Sequence, residues 1–210
     1  MQVGQKLQCQ REARMPEREK RTVAGKVEAR ASDGQPTKLV GYAAVFNQET
    51  VIADFFRETI LPGAFREAIA RPDDVRAAFN HSASLVLGRT TAGTLKLHED
   101  ETGLQYEIDP PATSYAKDLL ISVERGDITQ SSFSFEVVGE TWTYPKGALP
   151  LREISNVILW DVAPVTYPAY EGTSVSARAL ALKDQIPAPP EPDRTAEHLA
   201  AMLDLDEADG

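Results

Sequence analysis

Short segments in which apolar and polar residues alternate occupy most of the middle of this chain. The segments "TLKLHED" (94 to 100), "GLQYEID" (103 to 109) and "SSFSFEVV" (131 to 138) each show this period of two, with turn-forming residues between them. A period of two places apolar side chains on one face of a β-strand and polar side chains on the other. The pattern therefore predicts a domain built mainly from β-sheet.

Other segments add further strands and a short helix. We expect strands in "LVGYAAVFN" (39 to 47) and "VRAAFNH" (75 to 81), and a last strand pair in "LREISNVILWDVAPVTYPAY" (151 to 170). A short helix is expected from residue 64 to residue 70, because Pro72 stops it.

A second helix is expected in "TSYAKDLLISVERGDI" (113 to 128), where four apolar residues fall at helical spacing. Thr113 or Ser114 can cap its start, and Gly126 can end it. Many short strands with two or three inserted helices indicate an α+β fold built on a β-barrel or a strongly bent sheet.

The sequence divides into one domain and two tails. Residues 1 to 36 are polar and are expected to be a largely disordered tail, in which residues 23 to 29 could form one strand. The folded domain is expected from 37 to 183. Residues 184 to 210 are expected to form a proline-rich linker and an acidic tail, with a docking peptide as the alternative for the last part.

Composition excludes several classes of function. The net charge is −10 and no basic stripe is visible, so a nucleic-acid binder is not expected. No segment reaches the roughly 18 apolar residues of a membrane span, and the N-terminal residues lack the apolar core of a signal peptide, which indicates a cytoplasmic setting. Cys9 is the only cysteine, and no phosphate-binding or dinucleotide-binding motif occurs, so we expect no disulfide and no cofactor.

Few histidines are available as a general base. His198 lies in the predicted tail, and His98 is expected to point to solvent because Leu95 and Leu97 occupy the other face of its strand. His81 ends an apolar run, where a strand edge could present it to a cleft, although it could also be a structural histidine. A neutral imidazole can take the proton of a serine hydroxyl, which would create a nucleophile.

Two further features could complete such a site. The stretch "QSSFSF" (130 to 135) places Ser131 and Ser132 on opposite faces of a strand, where a plain polar face is the alternative. Asp161 is a lone acid within an apolar strand, and an unpaired buried carboxylate is costly. It could orient a histidine, or it could form a structural salt bridge.

Five segments of the chain, in order, resemble the prohead maturation proteases of tailed bacteriophages, which are related to the herpesvirus assemblin-type serine proteases. The segments are "GYAAVFN", "RETILPGAF", "FNHSASLVLGRTTAGTLKLHEDETGL", "RGDITQSSFSF" and "DVAPVTYPAYEGTSVSAR". The resemblance implies an assemblin-like bent sheet or β-barrel with inserted helices.

The resemblance also implies roles for individual residues. His81 of the "NH" segment matches the catalytic histidine of the family, and Ser132 matches the nucleophile. Because serines crowd this strand, Ser131 is the reserve nucleophile. Asp161 matches the acidic third member. The resemblance does not assign the donors of the oxyanion hole; the candidates are Arg89 and local backbone amides.

By the same resemblance, the chain is expected to be a serine endopeptidase that cleaves the scaffolding part of the major capsid protein, and itself. It would act inside the assembling prohead in the host cytoplasm, without cofactor, nucleic acid or membrane, and a homodimer is a further expectation. The alternative is a catalytically inactive capsid assembly or scaffold module of the same fold, which need not keep His81, Ser132 and Asp161.

Overall fold

The computed structural model describes residues 18–23, 27–32, 35–71, 74–167 and 186–189. Cys9, His198 and most of the predicted C-terminal tail, including the expected domain end near Lys183, lie outside this set. The described residues form two sheets and two α-helices, which confirms a mixed α+β fold, and no closed barrel is formed among them. No helix in this part of the chain has the length and apolar character that a bilayer crossing requires.

Eleven strands and two α-helices occur in the described residues. In chain order the strands are β1 (Glu19–Val23), β2 (Val27–Ser32), β3 (Gln35–Val45), β4 (Thr50–Ile52), β5 (Phe56–Ile60), β6 (Arg76–Ala78), β7 (Val86–Arg89), β8 (Leu95–Glu99), β9 (Gly103–Ile108), β10 (Gln130–Thr143) and β11 (Leu151–Val165). The helices are α1 (Arg66–Ala70) and α2 (Ser114–Glu124).

The larger, seven-stranded sheet has the path β1-β10-β11-β5-β4, and β6 and β7 pair beside β11. The smaller sheet has the order β2-β3-β9-β8. Both sheets contribute to one hydrophobic core, in which the rings of Phe65 and Phe133 pack edge to face with centroids 5.6 Å apart. Helix α2 adds Ala116, Leu119 and Val123 to the buried side chains, and Gly126 follows it in a left-handed conformation, as expected.

Strands β10 and β11 form a long antiparallel hairpin that is bent rather than flat. Its register shifts between Ser134 and Phe135 and on both sides of Gly139, and such irregularities bend a strand and increase its twist. The expectation of a strand pair in residues 151 to 170 is wrong for the described part, because residues 151 to 165 form the single strand β11. The bends do not interrupt its pairing with β10.

The predicted N-terminal tail contains more structure than the sequence suggested. Residues 18 to 36 include β1, β2 and the start of β3, whereas we expected one possible strand in an otherwise disordered segment. The reason is that β1 buries charged side chains. Arg21 is 7% exposed and is paired with Glu58. The inward face of β1 is therefore charged but shielded from solvent, although its charged sequence suggested an exposed segment.

Candidate active site

The two adjacent serines at the start of β10 have different partners. The Oγ of Ser132 lies 2.7 Å from Nε2 of His81, and the Oγ of Ser131 lies 2.7 Å from the phenolic oxygen of Tyr106. Successive side chains of a strand point to opposite faces, which accounts for this division. The structure therefore brings Ser132, and not Ser131, to the histidine.

Asp161 contacts the other ring nitrogen of His81, with its Oδ1 at Nδ1. Strand β11 places it there, because Asp161 is opposite Ser134 of β10 on one side and opposite Arg76 of β6 on the other. The chain turns directly after β6 and reaches His81 within three residues. Three residues far apart in the sequence are thus joined by the pairing of β10, β11 and β6.

The backbone at His81 has an uncommon conformation. Asn80 (φ 53°) and His81 (φ 56°) are both in the left-handed region, which Asn and His adopt more readily than most residues. The Asn80 side chain also bridges to the end of β11: its Oδ1 accepts from Thr166 N at 2.9 Å and its Nδ2 donates to Thr166 Oγ1 at 3.1 Å. Asn80 therefore fixes the position of the histidine loop.

A cleft of about 580 Å³ opens beside the histidine and the aspartate. His81 and Asp161 are among its lining residues, and their side chains are 9% and 22% exposed. Ser132 is not part of the lining and is 0% exposed. The cleft therefore reaches two members of the cluster, while the serine is covered.

The arrangement can generate a serine nucleophile. A carboxylate only accepts hydrogen bonds, so contact with Asp161 places the ring proton of His81 on Nδ1 and leaves Nε2 as an acceptor. Nε2 is then positioned to take the hydroxyl proton of Ser132. A second acceptor competes for this proton, since the Ser132 hydroxyl also donates to the carbonyl oxygen of Arg21 at 2.9 Å.

Other candidates from the sequence lie elsewhere. His98 is exposed on β8, as expected. Arg89 is a candidate for the oxyanion hole, but its guanidinium donates to both carboxylate oxygens of Asp74, at 2.9 and 2.6 Å, and these bonds lower the pKa of Asp74. Within the described ranges, no three His, Cys, Asp or Glu side chains are grouped so that they could hold a metal ion.

Sequence reasoning missed two residues next to the cluster. Arg21 was assigned to a disordered tail, and nothing in its charged segment indicated that its carbonyl would reach Ser132. Asn80 directly precedes His81, and its tolerance of left-handed backbone was a usable signal.

Comparison with known proteins places these residues in a family. A family model described as the caudovirus prohead serine protease matches residues 25–185, which is most of the chain and includes His81, Ser132 and Asp161. No significant match was found among curated proteins or among solved structures. The chain belongs to the caudovirus prohead serine protease family and is a serine protease.

Proposed function

We propose that this protein is the endopeptidase that cleaves the scaffolding part of the major capsid protein inside the assembling prohead, with Ser132 as nucleophile, His81 as general base and Asp161 as the residue that orients the histidine. The observation that carries this proposal is the continuous chain of contacts from Asp161 through the two nitrogens of His81 to the Ser132 hydroxyl. The family description names a prohead protease, which supports the prohead as the place where the protein acts.

In the proposed reaction, Ser132 Oγ attacks the scissile carbonyl carbon while His81 Nε2 takes the hydroxyl proton. The carboxylate of Asp161 holds the ring and stabilises the imidazolium that forms. His81 then gives the proton to the leaving amine, and water hydrolyses the acyl group from Ser132 by the same path in reverse.

Cleavage of the protein by itself, a homodimeric state and an assemblin-like arrangement of the bent sheet belong to the same proposal. The rival function is an inactive assembly module of the same family. A module without turnover has no need to keep three chemically matched side chains in contact, and the contacts of His81 with both partners therefore favour the enzyme.

The test is co-expression of the full chain with the major capsid protein of the same virus. We expect wild type and Ser131→Ala to shorten the capsid protein, and Ser132→Ala and His81→Ala to leave it intact, as read by mass spectrometry. Ser131→Ala is the matched control, because it removes a hydroxyl from the same strand. Processing that persists in both Ser132→Ala and His81→Ala would rule the proposal out.

A further inference from the structure

Strand β1 covers the serine of the candidate active site. Its five residues pair antiparallel with residues 131 to 135 of β10, and Thr22 is directly opposite Ser132. Ser132 is 0% exposed in this state. A nucleophile must come within roughly 3 to 3.5 Å of the carbonyl carbon that it attacks, so a substrate cannot reach Ser132 while β1 is in place.

The contact between β1 and Ser132 also engages the reactive proton. The hydroxyl has one hydrogen and two acceptors, the carbonyl oxygen of Arg21 at 2.9 Å and Nε2 of His81 at 2.7 Å. A hydroxyl that donates to the carbonyl is not donating to the imidazole. The bound β1 therefore opposes activation of Ser132 as well as access to it.

The position of β1 is the one that an extended peptide would take. One edge of β10 is occupied by β11 along its whole length, so only the other edge can accept another strand beside Ser132. Addition of an extended peptide to a sheet edge is a common mode of peptide recognition, because the main-chain hydrogen bonds are independent of sequence. In this structure β1, a segment of the same chain, already forms the backbone pairing with this edge.

Buried ion pairs anchor β1. The Arg21 guanidinium donates to Glu58 at 2.5 and 2.9 Å, and Glu19 accepts from Arg152 at 3.0 Å. Glu58 and Arg152 also pair with each other at 3.0 Å, so they remain partnered when β1 leaves. These ion pairs fix the position of β1, yet β1 can detach without leaving Glu58 and Arg152 as unpaired buried charges.

The residue before β1 forms part of the wall of the cleft. The Arg18 guanidinium lies over the Trp160 ring, 3.7 Å from its centroid, among residues that line the cleft with His81 and Asp161. A cation over an aromatic face is attracted by the electron-rich ring. Arg18 therefore helps to form the cleft, and residues 19 to 23 occupy the strand edge beside it.

We propose that the edge of β10 from Ser131 to Phe135 is the docking site for an extended substrate peptide, and that β1 is a built-in competitor which the substrate must displace. The inference rests on the proposed function, since it assumes that Ser132 is the nucleophile. It is consistent with the family match, which begins at residue 25 and so does not include β1.

A reversible crosslink tests the proposal in the full chain. Lys20 and Ser134 are directly opposite in the antiparallel pairing, where Cα atoms are about 4.5 to 5.5 Å apart, within the range that a disulfide spans. The variant carries Lys20→Cys and Ser134→Cys with Cys9→Ser, and the control carries Lys20→Cys and Cys9→Ser. Each is treated with a serine-directed fluorophosphonate before and after reduction, and the rate of labelling at Ser132 is measured by mass spectrometry.

We expect oxidation to slow labelling of the double-cysteine variant at least tenfold, reduction to restore it, and neither treatment to change the control. Equal labelling of the oxidised and reduced forms at Ser132 would overturn the docking proposal and leave the proposed function standing. Failure of Ser132 to take the label in any form, wild type included, would overturn both.

Discussion

At the scale of single residues, the pair Ser131 and Ser132 shows how one position along a strand changes the chemistry of a hydroxyl. Ser132 faces a histidine that can take its proton, and Ser131 faces Tyr106, whose hydroxyl is buried and whose pKa is raised by that burial. Tyr106 therefore stays neutral and can only exchange a hydrogen bond. One serine contacts an imidazole nitrogen, and the other makes a buried hydrogen bond in the core.

The stabilising role of Ser131 gives a first prediction. Ser131→Ala leaves the buried Tyr106 hydroxyl without this partner, which costs about 1 to 3 kcal/mol of unfolding free energy. Tyr106→Phe in the same chain removes the orphaned hydroxyl and should recover part of the loss. Urea denaturation of both single variants and the double variant measures the coupling, and strictly additive losses would contradict the prediction.

Asn80 gives a second prediction, because it holds the loop of His81. Asn80→Ala removes two hydrogen bonds to Thr166. It also replaces asparagine, which tolerates the left-handed backbone of this position, with alanine, for which that conformation costs about 1 to 2 kcal/mol. Asn80→Gly loses the hydrogen bonds but tolerates the backbone. We expect both variants to lower kcat with little change in KM, and the alanine variant to be the less stable.

Steady-state cleavage of a capsid-derived peptide and thermal unfolding measure these two effects. Equal stability of the alanine and glycine variants would show that the left-handed backbone at Asn80 carries no cost. Unchanged kcat in both would show that the bridge to Thr166 does not position the histidine.

At the scale of elements, the sequence predicted those strands whose two faces differ in polarity. Strands β8, β9 and β10 and helix α2 lie where alternation, helical spacing and Gly126 indicated. Strand β1 was missed because Glu19 and Arg21 face inward, where buried ion pairs replace apolar packing. The alternation of apolar and polar residues cannot reveal a buried strand face that consists of charged side chains.

The charged anchor of β1 gives a prediction on pH. Burial alone would raise the pKa of Glu19, but attraction to Arg21 and Arg152 outweighs it and lowers the pKa below its usual value of 4.5. A carboxyl whose pKa is lowered on folding stabilises the folded state above its unfolded value, and this contribution is lost as the pH falls through the folded value. Wild type should therefore exceed Glu19→Gln in stability at pH 7, and the difference should shrink below about pH 4.5.

Urea denaturation over that pH range measures the difference. Glu101→Gln removes one charge from an exposed residue and is the matched control, for which we expect a small difference at pH 7. A difference between wild type and Glu19→Gln that stayed constant down to low pH would contradict an ionised, paired Glu19.

At the scale of the whole molecule, the site depends on long-range pairing that local sequence does not encode. His81 is 51 residues from Ser132 and 80 from Asp161, and β10, β11 and β6 bring them together. The period of a β-strand assigns Ser131 and Ser132 to opposite faces, but it does not show which of the two faces lies next to His81. The resemblance to a family supplied that choice, and the cover of Ser132 by β1 became visible only in the folded chain.

The close approach of β3 to β9 gives a prediction on global stability. A Cβ at Gly103 would lie 2.0 Å from the carbonyl oxygen of Ala44, and backbone on both sides prevents relief. Gly103→Ala should therefore cost more than the roughly 1 to 3 kcal/mol of ordinary overpacking. Gly147→Ala is the control, since its Cβ meets open space and only its positive φ opposes the change. A smaller loss for Gly103→Ala than for Gly147→Ala in urea denaturation would contradict this packing.

The most direct test of the central claim is the position of covalent modification after the full chain reacts with a serine-directed fluorophosphonate. The proposed mechanism predicts a single label on Ser132, equally in wild type and Ser131→Ala, and its loss in His81→Ala, because the imidazole must take the hydroxyl proton. Mass spectrometry of the digested protein locates the label. A label on Ser131 or on another serine, or labelling of Ser132 that is unchanged in His81→Ala, would contradict it.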